Sequence, residues 1–233
     1  MPAPYDHAPY DVEPFRARYR AAIHPRYNAW LHGGFVLAYG IAFLIFFSQQ
    51  LHAVQALEWL TVPLALIFFN WGEYTVHKNL GHEKHKLGAL FYKRHTGDHH
   101  SFFVQEKMRY ETAQDWRVIF FPAWLIVLFS IAMLAAWWVL SFINSNVAAL
   151  FSFTLLAGYL SYEIFHACEH LPDEHPLARL PWLRHMRQLH ALHHRRDLMQ
   201  SKNFNLIFPL TDWIKGTLYW EAPSSDKSVH RPE

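Results

Sequence analysis

Histidines are concentrated in two stretches of this chain, at 77–100 and 166–194, and none lies between residues 101 and 165. Within these stretches they form four short boxes: His77-x4-His82, His95-x3-His99-His100, His166-x3-His170 and His190-x2-His193-His194. Imidazole nitrogen is a ligand for zinc, copper, iron and nickel. Ten imidazoles are enough to hold two metal ions, so the boxes predict a metal centre.

The spacing within the boxes is helical. His166 and His170 are four residues apart, so on a helix they lie on one face, and the members of the fourth box are similarly aligned. Adjacent histidines, as in the doublet His193-His194, are separated by about 100° around a helix axis. One member of each doublet can therefore reach one ion while its neighbour reaches a second, which predicts a two-metal centre.

The first box does not follow this pattern, because His77 and His82 are five residues apart. Gly81 directly precedes His82, and glycine commonly ends a helix with a turn. We therefore expect His77 to lie on a helix and His82 to lie just beyond its end.

Long apolar segments flank these boxes and are expected to form the helices that position them. Hydrophobic residues make up 52% of the 233 residues, and they occur in long runs. Residues 27–57 contain no Asp, Glu, Lys or Arg, and Glu163 is the single such residue in 118–168. A membrane-spanning helix needs about 20 apolar residues. The runs predict four spans, at about 31–50, 56–72, 118–140 and 146–165.

The boxes begin where the second and fourth spans end. We therefore predict an all-α fold in which four transmembrane helices form two hairpins, and a helical cap made from 73–117 and 166–220 carries the boxes. The predicted organisation is an N-terminal tail at 1–28, a membrane domain at 29–220 and a disordered tail at 221–233. Neither hairpin link contains Lys or Arg. The positive-inside rule then places both termini and all the boxes in the cytoplasm.

Charge and cysteine content exclude other classes. A net charge of +2, without a basic tail or a zinc-finger pattern, argues against nucleic-acid binding. The single cysteine, Cys168, cannot form an intrachain disulfide. It lies between His166 and His170, where a helix would direct it away from both, so we interpret it as a packing residue.

Residues around the boxes extend the pattern. Glu73-Tyr-Thr-Val-His77 and Leu90-Phe-Tyr-Lys-Arg-His95 precede the first two boxes, and Asn203 and Asp212-x3-Gly216-Thr217 follow the fourth. Together with the boxes and the membrane hairpins, they resemble the fatty acid hydroxylase and sterol desaturase superfamily over roughly residues 60–218.

This resemblance implies a membrane-bound oxygenase with two iron ions, for which zinc could substitute in purified protein. The implied ligands are His77, His82, His95, His99, His100, His166, His170, His190, His193 and His194. The expected reaction is O2-dependent hydroxylation of a lipid acyl chain, with desaturation or oxidation of a sterol or carotenoid as alternatives.

No cytochrome b5-like domain is fused to the chain, so we expect a separate ferredoxin-like or cytochrome b5-like electron donor. A basic surface that could dock it comprises Lys84, Lys86, Lys93, Arg94, Arg184 and Arg187.

Three other classes of site fit the sequence less well. A soluble-type di-iron carboxylate site needs Glu-x-x-His on two helices, and this motif occurs once, at Glu163-x2-His166, which leaves Glu163 as a possible ligand. A metal transporter or a membrane cytochrome needs polar or haem-ligating residues inside the spans. The first and third spans have no acidic, basic or histidine residue in their central parts. Carboxylates that could orient the ligands are Glu73, Asp98, Glu163, Glu169 and Asp197, and His85 and His185 are interpreted as supporting or surface residues.

Overall fold

Three long apolar helices correspond to the first, third and fourth predicted spans. The structure is a computed structural model that describes residues 11–86 and 88–221. Within those residues, α2 (Ala29–Ser48), α7 (Trp124–Ser141) and α8 (Ser145–Glu169) are long and apolar enough to cross a membrane. Asn28 and Asn144 cap α2 and α8, because their side-chain oxygens accept backbone N–H groups three residues later. The start of α7 at Trp124 follows an extended segment at Phe120, six residues after the predicted start.

The predicted second span is shorter than the others. Its helix, α3 (Thr61–Val76), has 16 residues and is therefore about 24 Å long, against a hydrocarbon thickness of about 30 Å. Large apolar side chains on it are exposed, including Leu64 and Ile67. The described residues thus contain three helices of membrane-spanning length, and the fourth span stays a prediction.

Helix α8 is the centre of the apolar bundle and packs against α2, α3 and α7. Most of its side chains are buried, whereas α2 and α7 expose residues such as Ile41 and Leu128. At the α2–α8 contact, a Cβ atom at Gly40 would lie 2.6 Å from the Leu160 side chain. Small residues allow apolar helices to approach closely in this way.

Two π-helical segments carry the first two boxes. Helix α3 continues directly into the π-helix His77–His82, and α4 (Ala89–Tyr92) continues into the π-helix Lys93–His99 and then α5 (His100–Phe102). The prediction that a turn at Gly81 ends the helix before His82 is therefore wrong. A π-helix bonds residues five apart, which brings His77 and His82 to the same side. Gly81 is needed for packing instead, since a Cβ atom there would lie 2.9 Å from the His95 ring.

The remaining helices are α1 (Glu13–Ala21), α6 (Trp116–Ile119), α9 (Pro181–His193) and α10 (Leu210–Lys215). Helices α9 and α10 and the 3-10 turns Ala113–Asp115 and Pro176–Arg179 lie within the segments predicted to form the cap, and α6 lies at its edge. A further 3-10 turn, Glu58–Leu60, directly precedes α3 in the link from α2. Helix α1 lies in the predicted N-terminal tail, yet it packs on α5 and its Arg16 is 2% exposed. The predicted disordered tail lies, apart from its first residue, outside the described residues.

The predicted topology places the link between α7 and α8 on the outer side of the membrane. Ser145, the exposed first residue of α8, is a suitable reporter position in a Cys168→Ser background. A cysteine at Ser145 is expected to react with an impermeant thiol reagent in intact cells. Labelling that requires permeabilised cells would contradict this orientation.

Candidate metal centre

All ten histidines of the boxes are buried and lie in one region of the molecule. His166 lies in the last turn of α8 and His170 directly follows that helix, while α9 carries His190 and His193 and is followed by His194. The two π-helices and the start of α5 supply the other five. Each box thus lies at a helix end or at a junction between two helical segments.

The imidazoles divide into two groups. Within each group, one ligand nitrogen per residue lies within 4.8 Å of all the others; the first comprises His77, His82, His95, His100 and His193, and the second His99, His166, His170 and His190. His194 joins the second group, because its Nε2 atom lies 3.1 Å from Nε2 of His99 and 3.2 Å from Nε2 of His190.

Both doublets are split between the groups. His100 and His193 belong to the first group, while their neighbours His99 and His194 face the second. This is the division that the helical geometry of adjacent residues predicts. The two groups are also in direct contact, since the rings of His100 and His194 stack with centroids 4.1 Å apart.

Backbone carbonyls fix the orientation of five rings. In the first group, Nδ1 of His77 and Nδ1 of His193 bond to the carbonyl oxygens of Phe204 and Lys202 at 2.5 and 2.7 Å. In the second, the Nδ1 atoms of His99, His170 and His194 bond to the carbonyls of Val118, Met108 and Phe103 at 3.2, 2.7 and 2.8 Å. A carbonyl can only accept, so each Nδ1 carries the proton and each Nε2 presents a lone pair.

Two of these lone pairs face each other, since Nε2 of His99 lies 3.1 Å from Nε2 of His194. The Nε2 atoms of His95 and His166 approach a neighbour as closely, at 2.8 Å from Nε2 of His77 and 3.1 Å from Nε2 of His99. Two ligands at right angles on an ion about 2.1 Å away would be about 3.0 Å apart. Burial and the surrounding imidazoles lower the pKa of His95, and burial lowers the pKa of His193 to about 4. The rings are therefore neutral, which is the form that binds metal.

The ten imidazole nitrogens are suited to binding two cations. Neutral imidazoles with opposed lone pairs repel one another unless a positive ion lies between them, and each group offers five nitrogens. The residues do not select the metal, because imidazole suits iron and zinc alike. Metal ligation by the ten histidines stays a prediction, now supported by their convergence.

The C-terminal segment supplies the carbonyls for the first group. Asp212 accepts the backbone N–H groups of Phe204 and Asn205 at 3.0 and 2.7 Å and the Thr217 hydroxyl at 2.6 Å. Asn203, at a positive φ of 57°, donates to the Leu189 carbonyl at 3.2 Å. The Asn203 and Asp212-x3-Gly216-Thr217 pattern therefore holds the carbonyls of residues 202 and 204 against their histidines.

A short hairpin supplies two carbonyls for the second group, and Arg16 holds it. The hairpin contains an antiparallel bridge between Val104 and Lys107. The Arg16 guanidinium donates to the carbonyls of Phe102 at 2.9 Å, Lys107 at 2.8 Å and Arg109 at 3.3 Å. The intervening carbonyls of Phe103 and Met108 bond to His194 and His170. Nothing in the sequence distinguishes Arg16 from Arg18 and Arg20, so this residue was missed.

The carboxylates expected to orient the ligands are mostly engaged elsewhere. Glu169 is the nearest, with Oε2 3.8 Å from Nδ1 of His190. Glu163, the possible ligand, accepts from the Tyr159 hydroxyl at 2.8 Å and belongs to neither group. The others pair with nearby residues: Glu73 with the backbone of Leu206, Asp98 with Lys93, and Asp197 with Arg195.

The remaining candidate residues lie apart from both groups. His85 is exposed and lies 3.4 Å from Glu83. His185 packs between the rings of Trp182 and Trp220. Cys168 is partly buried and belongs to neither group, in agreement with its interpretation as a packing residue.

An apolar cavity of about 410 Å³ adjoins the first group. His77 lines it, and it extends between α3, α7 and α8 to Met133 and Leu155, which lie near the middle of α7 and α8. Its other walls are largely aromatic or aliphatic, as at Phe69, Phe121 and Phe129. The metal centre therefore has an apolar approach from within the helical bundle.

Comparison with known proteins agrees with this geometry. The family model described as fatty acid hydroxylase matches residues 62–217, a range that contains all ten histidines, α7, α8 and all of α3 except its first residue. No curated protein and no solved structure matches the chain. Since the family model covers two thirds of the chain, and the boxes that define the resemblance converge in the fold, the chain belongs to the fatty acid hydroxylase family, within the fatty acid hydroxylase and sterol desaturase superfamily.

Proposed function

We propose that this protein is a membrane-bound di-iron oxygenase that hydroxylates the acyl chain of a lipid, using O2 and electrons from a separate protein. The cavity that runs from His77 into the helical bundle is the observation that carries this proposal. A water-soluble substrate gains nothing from such a path. An acyl chain does, because each buried CH2 group contributes about 0.8 kcal/mol.

The reaction balances as R–H plus O2, two electrons and two protons, giving R–OH and water. One oxygen atom enters the carbon–hydrogen bond and the other becomes water. Iron bound by the two histidine groups would supply the redox chemistry that activates O2, which zinc cannot do. The chain's own residues hold the ligands neutral and oriented, and they exclude water from the acyl chain through the apolar walls at Phe121 and Phe129.

Labelled oxygen distinguishes hydroxylation from the alternatives. Purified protein loaded with iron would be given ¹⁸O2, a reductant and defined lipids, and the products examined by mass spectrometry. We expect one ¹⁸O atom in a hydroxylated acyl chain. A new double bond without label would indicate a desaturase, and labelled sterol or carotenoid would indicate that substrate class. If no lipid were oxidised and the protein moved metal ions across vesicle membranes, the proposed enzyme activity would be rejected in favour of metal transport.

Filling the cavity tests the substrate path directly. Gly72 lines the cavity, and a Cβ atom there would meet no other atom within 4 Å. Leucine also has a higher helix propensity than glycine. Gly72→Leu is therefore expected to reduce turnover at least about tenfold by occupying space that the acyl chain needs, while leaving the metal content unchanged.

Gly34→Leu is the matched control. Gly34 lies on α2, is exposed, and also has open space at its Cβ position. The same substitution there should leave turnover near the wild-type value. Equal turnover in both variants would show that the substrate does not use this cavity.

The electron donor is proposed to dock on the cytoplasmic face of the cap. Arg184 and Arg187 line a polar cavity of about 810 Å³ there, next to Glu169 and therefore close to the second histidine group. Lys84 and Lys86 are exposed, whereas Arg94 is largely covered and bonds to the Arg117 carbonyl. The Arg187 guanidinium pairs with Asp173 at 2.7 Å, so the positive charge that would steer an acidic donor comes from Arg184, Lys84 and Lys86. Faster reduction at low ionic strength is therefore expected.

A further inference from the structure

A second basic cleft contains Lys93 and Arg94 and shares no lining residue with the cavity at Arg184 and Arg187. It has a volume of about 700 Å³ and lies between α1, residues 22–27, the π-helix Lys93–His99 and Arg117. Its charged side chains are Arg18, Arg26, Lys93, Arg94, Arg117 and a single carboxylate, Asp98. We infer that this cleft binds the phosphate group of an anionic membrane lipid.

The described residues neutralise the cations of the cleft only in part. Asp98 is shared by Lys93 and Arg94, at 3.4 and 3.8 Å. Arg18 and Arg26 are exposed and form no ion pair with another described residue. Like charges gathered in one cleft repel one another and raise the local concentration of anions. An anionic ligand would remove this repulsion.

Part of the donor geometry is already in place. Arg94 is held by hydrogen bonds from its guanidinium to the Tyr19 hydroxyl at 3.1 Å and to the Arg117 carbonyl at 2.5 Å. Nε of Arg94 and Nη1 of Arg117 are buried and have no acceptor among the described residues. Guanidinium groups present planar pairs of N–H donors that match phosphate oxygens. The cleft thus combines a fixed Arg94 side chain with excess positive charge, and two guanidinium nitrogens of its lining residues lack an acceptor among the described residues.

The position of the cleft favours a lipid over a soluble phosphate. Arg26 lies three residues before α2, and Arg117 lies seven residues before α7, so both candidate spans start beside it. Trp30 and Trp116, whose rings are 4.7 Å apart, occupy the same level, where aromatic residues are enriched at membrane interfaces. Lipid headgroup phosphates lie at this depth.

Retention of lipid by purified protein tests the inference. The protein would be reconstituted into phosphatidylcholine nanodiscs that contain increasing proportions of phosphatidylglycerol. After delipidation, the lipid that stays bound to the protein would be measured by native mass spectrometry. We expect one phosphatidylglycerol molecule to remain on the wild-type chain. Arg18→Ala/Arg26→Ala should bind it at least tenfold more weakly, and both residues are exposed, so the fold and the metal content should be unchanged.

Lys84→Ala/Lys86→Ala is the matched control, because it removes the same charge from exposed positions outside the cleft. Equal loss of lipid in the two double variants would overturn the inference, because it would show that anionic lipid is attracted to the basic surface as a whole and not bound in the cleft. Displacement of the lipid by inorganic phosphate at equal concentration would also overturn it, and would assign the cleft to a soluble phosphate compound. These measurements involve no turnover, so their outcome is independent of the proposed oxygenase activity.

Discussion

Replacing His193 or His194 by alanine is expected to remove a metal ion from different halves of the centre. His193 belongs to the first histidine group and the Nε2 atom of His194 faces the second. Loss of a residue that merely orients a ligand weakens metal binding about 10- to 100-fold, so loss of a ligand should have at least that effect at its own ion. Each variant should therefore approach one iron per chain and lose oxygenase activity.

Iron content at limiting free Fe(II), with ⁵⁷Fe Mössbauer spectra of the reconstituted variants, distinguishes the two sites. The residual iron in the two variants should give different spectra, because different histidines remain around it. His185→Ala is the control, since this imidazole packs against Trp182 and Trp220 outside both groups. Full occupancy in both His193→Ala and His194→Ala would exclude the ligand role of the doublet.

Arg16→Met is expected to weaken the second site selectively, although Arg16 contacts no histidine of the centre. Its guanidinium holds three carbonyls of the hairpin whose intervening carbonyls orient His170 and His194. An unpaired buried acceptor costs about 1–3 kcal/mol, so the hairpin should shift when the guanidinium is removed. The variant should retain the first ion and bind the second at least about tenfold more weakly.

Two further variants make this prediction specific. Arg16→Lys keeps the charge but lacks the planar set of donors, so it should rescue the second site only in part. Arg179→Met replaces an exposed arginine on the cap and should retain two ions. Loss of both ions together, or of neither, in Arg16→Met with an unchanged helical circular dichroism spectrum would contradict the positioning role.

The sequence was sufficient to predict the features that depend on local periodicity. Helical spacing placed His166 and His170 on one face, and the 100° step between neighbours divided the doublets between two groups. Length and composition indicated α2, α7 and α8, because a membrane span is defined by its own residues. The boxes and their flanking motifs also identified the family that the model match over residues 62–217 confirmed.

Local periodicity failed where the backbone departs from the α-helix. His77 and His82 share a side because the chain continues as a π-helix, and Gly81 is required by the His95 ring rather than by a turn. Hydrogen bonding five residues apart competes with the α-helix only when tertiary contacts favour it. The sequence therefore singled out two histidines that do converge with the first group, but the expected turn was the wrong reason for their spacing.

Only the tertiary structure decided what orients the ligands and what reaches them. Every non-proline residue has the same backbone N–H and C=O groups, so no residue type marks the carbonyls of Phe103, Met108, Lys202 and Phe204 as histidine partners. Arg16 acquires its role because α1 folds back onto a segment more than 80 residues away. The apolar cavity beside His77 likewise exists only between helices that are distant in sequence. Residue identity and spacing determined the chemistry of the site, and long-range packing determined its geometry and its access.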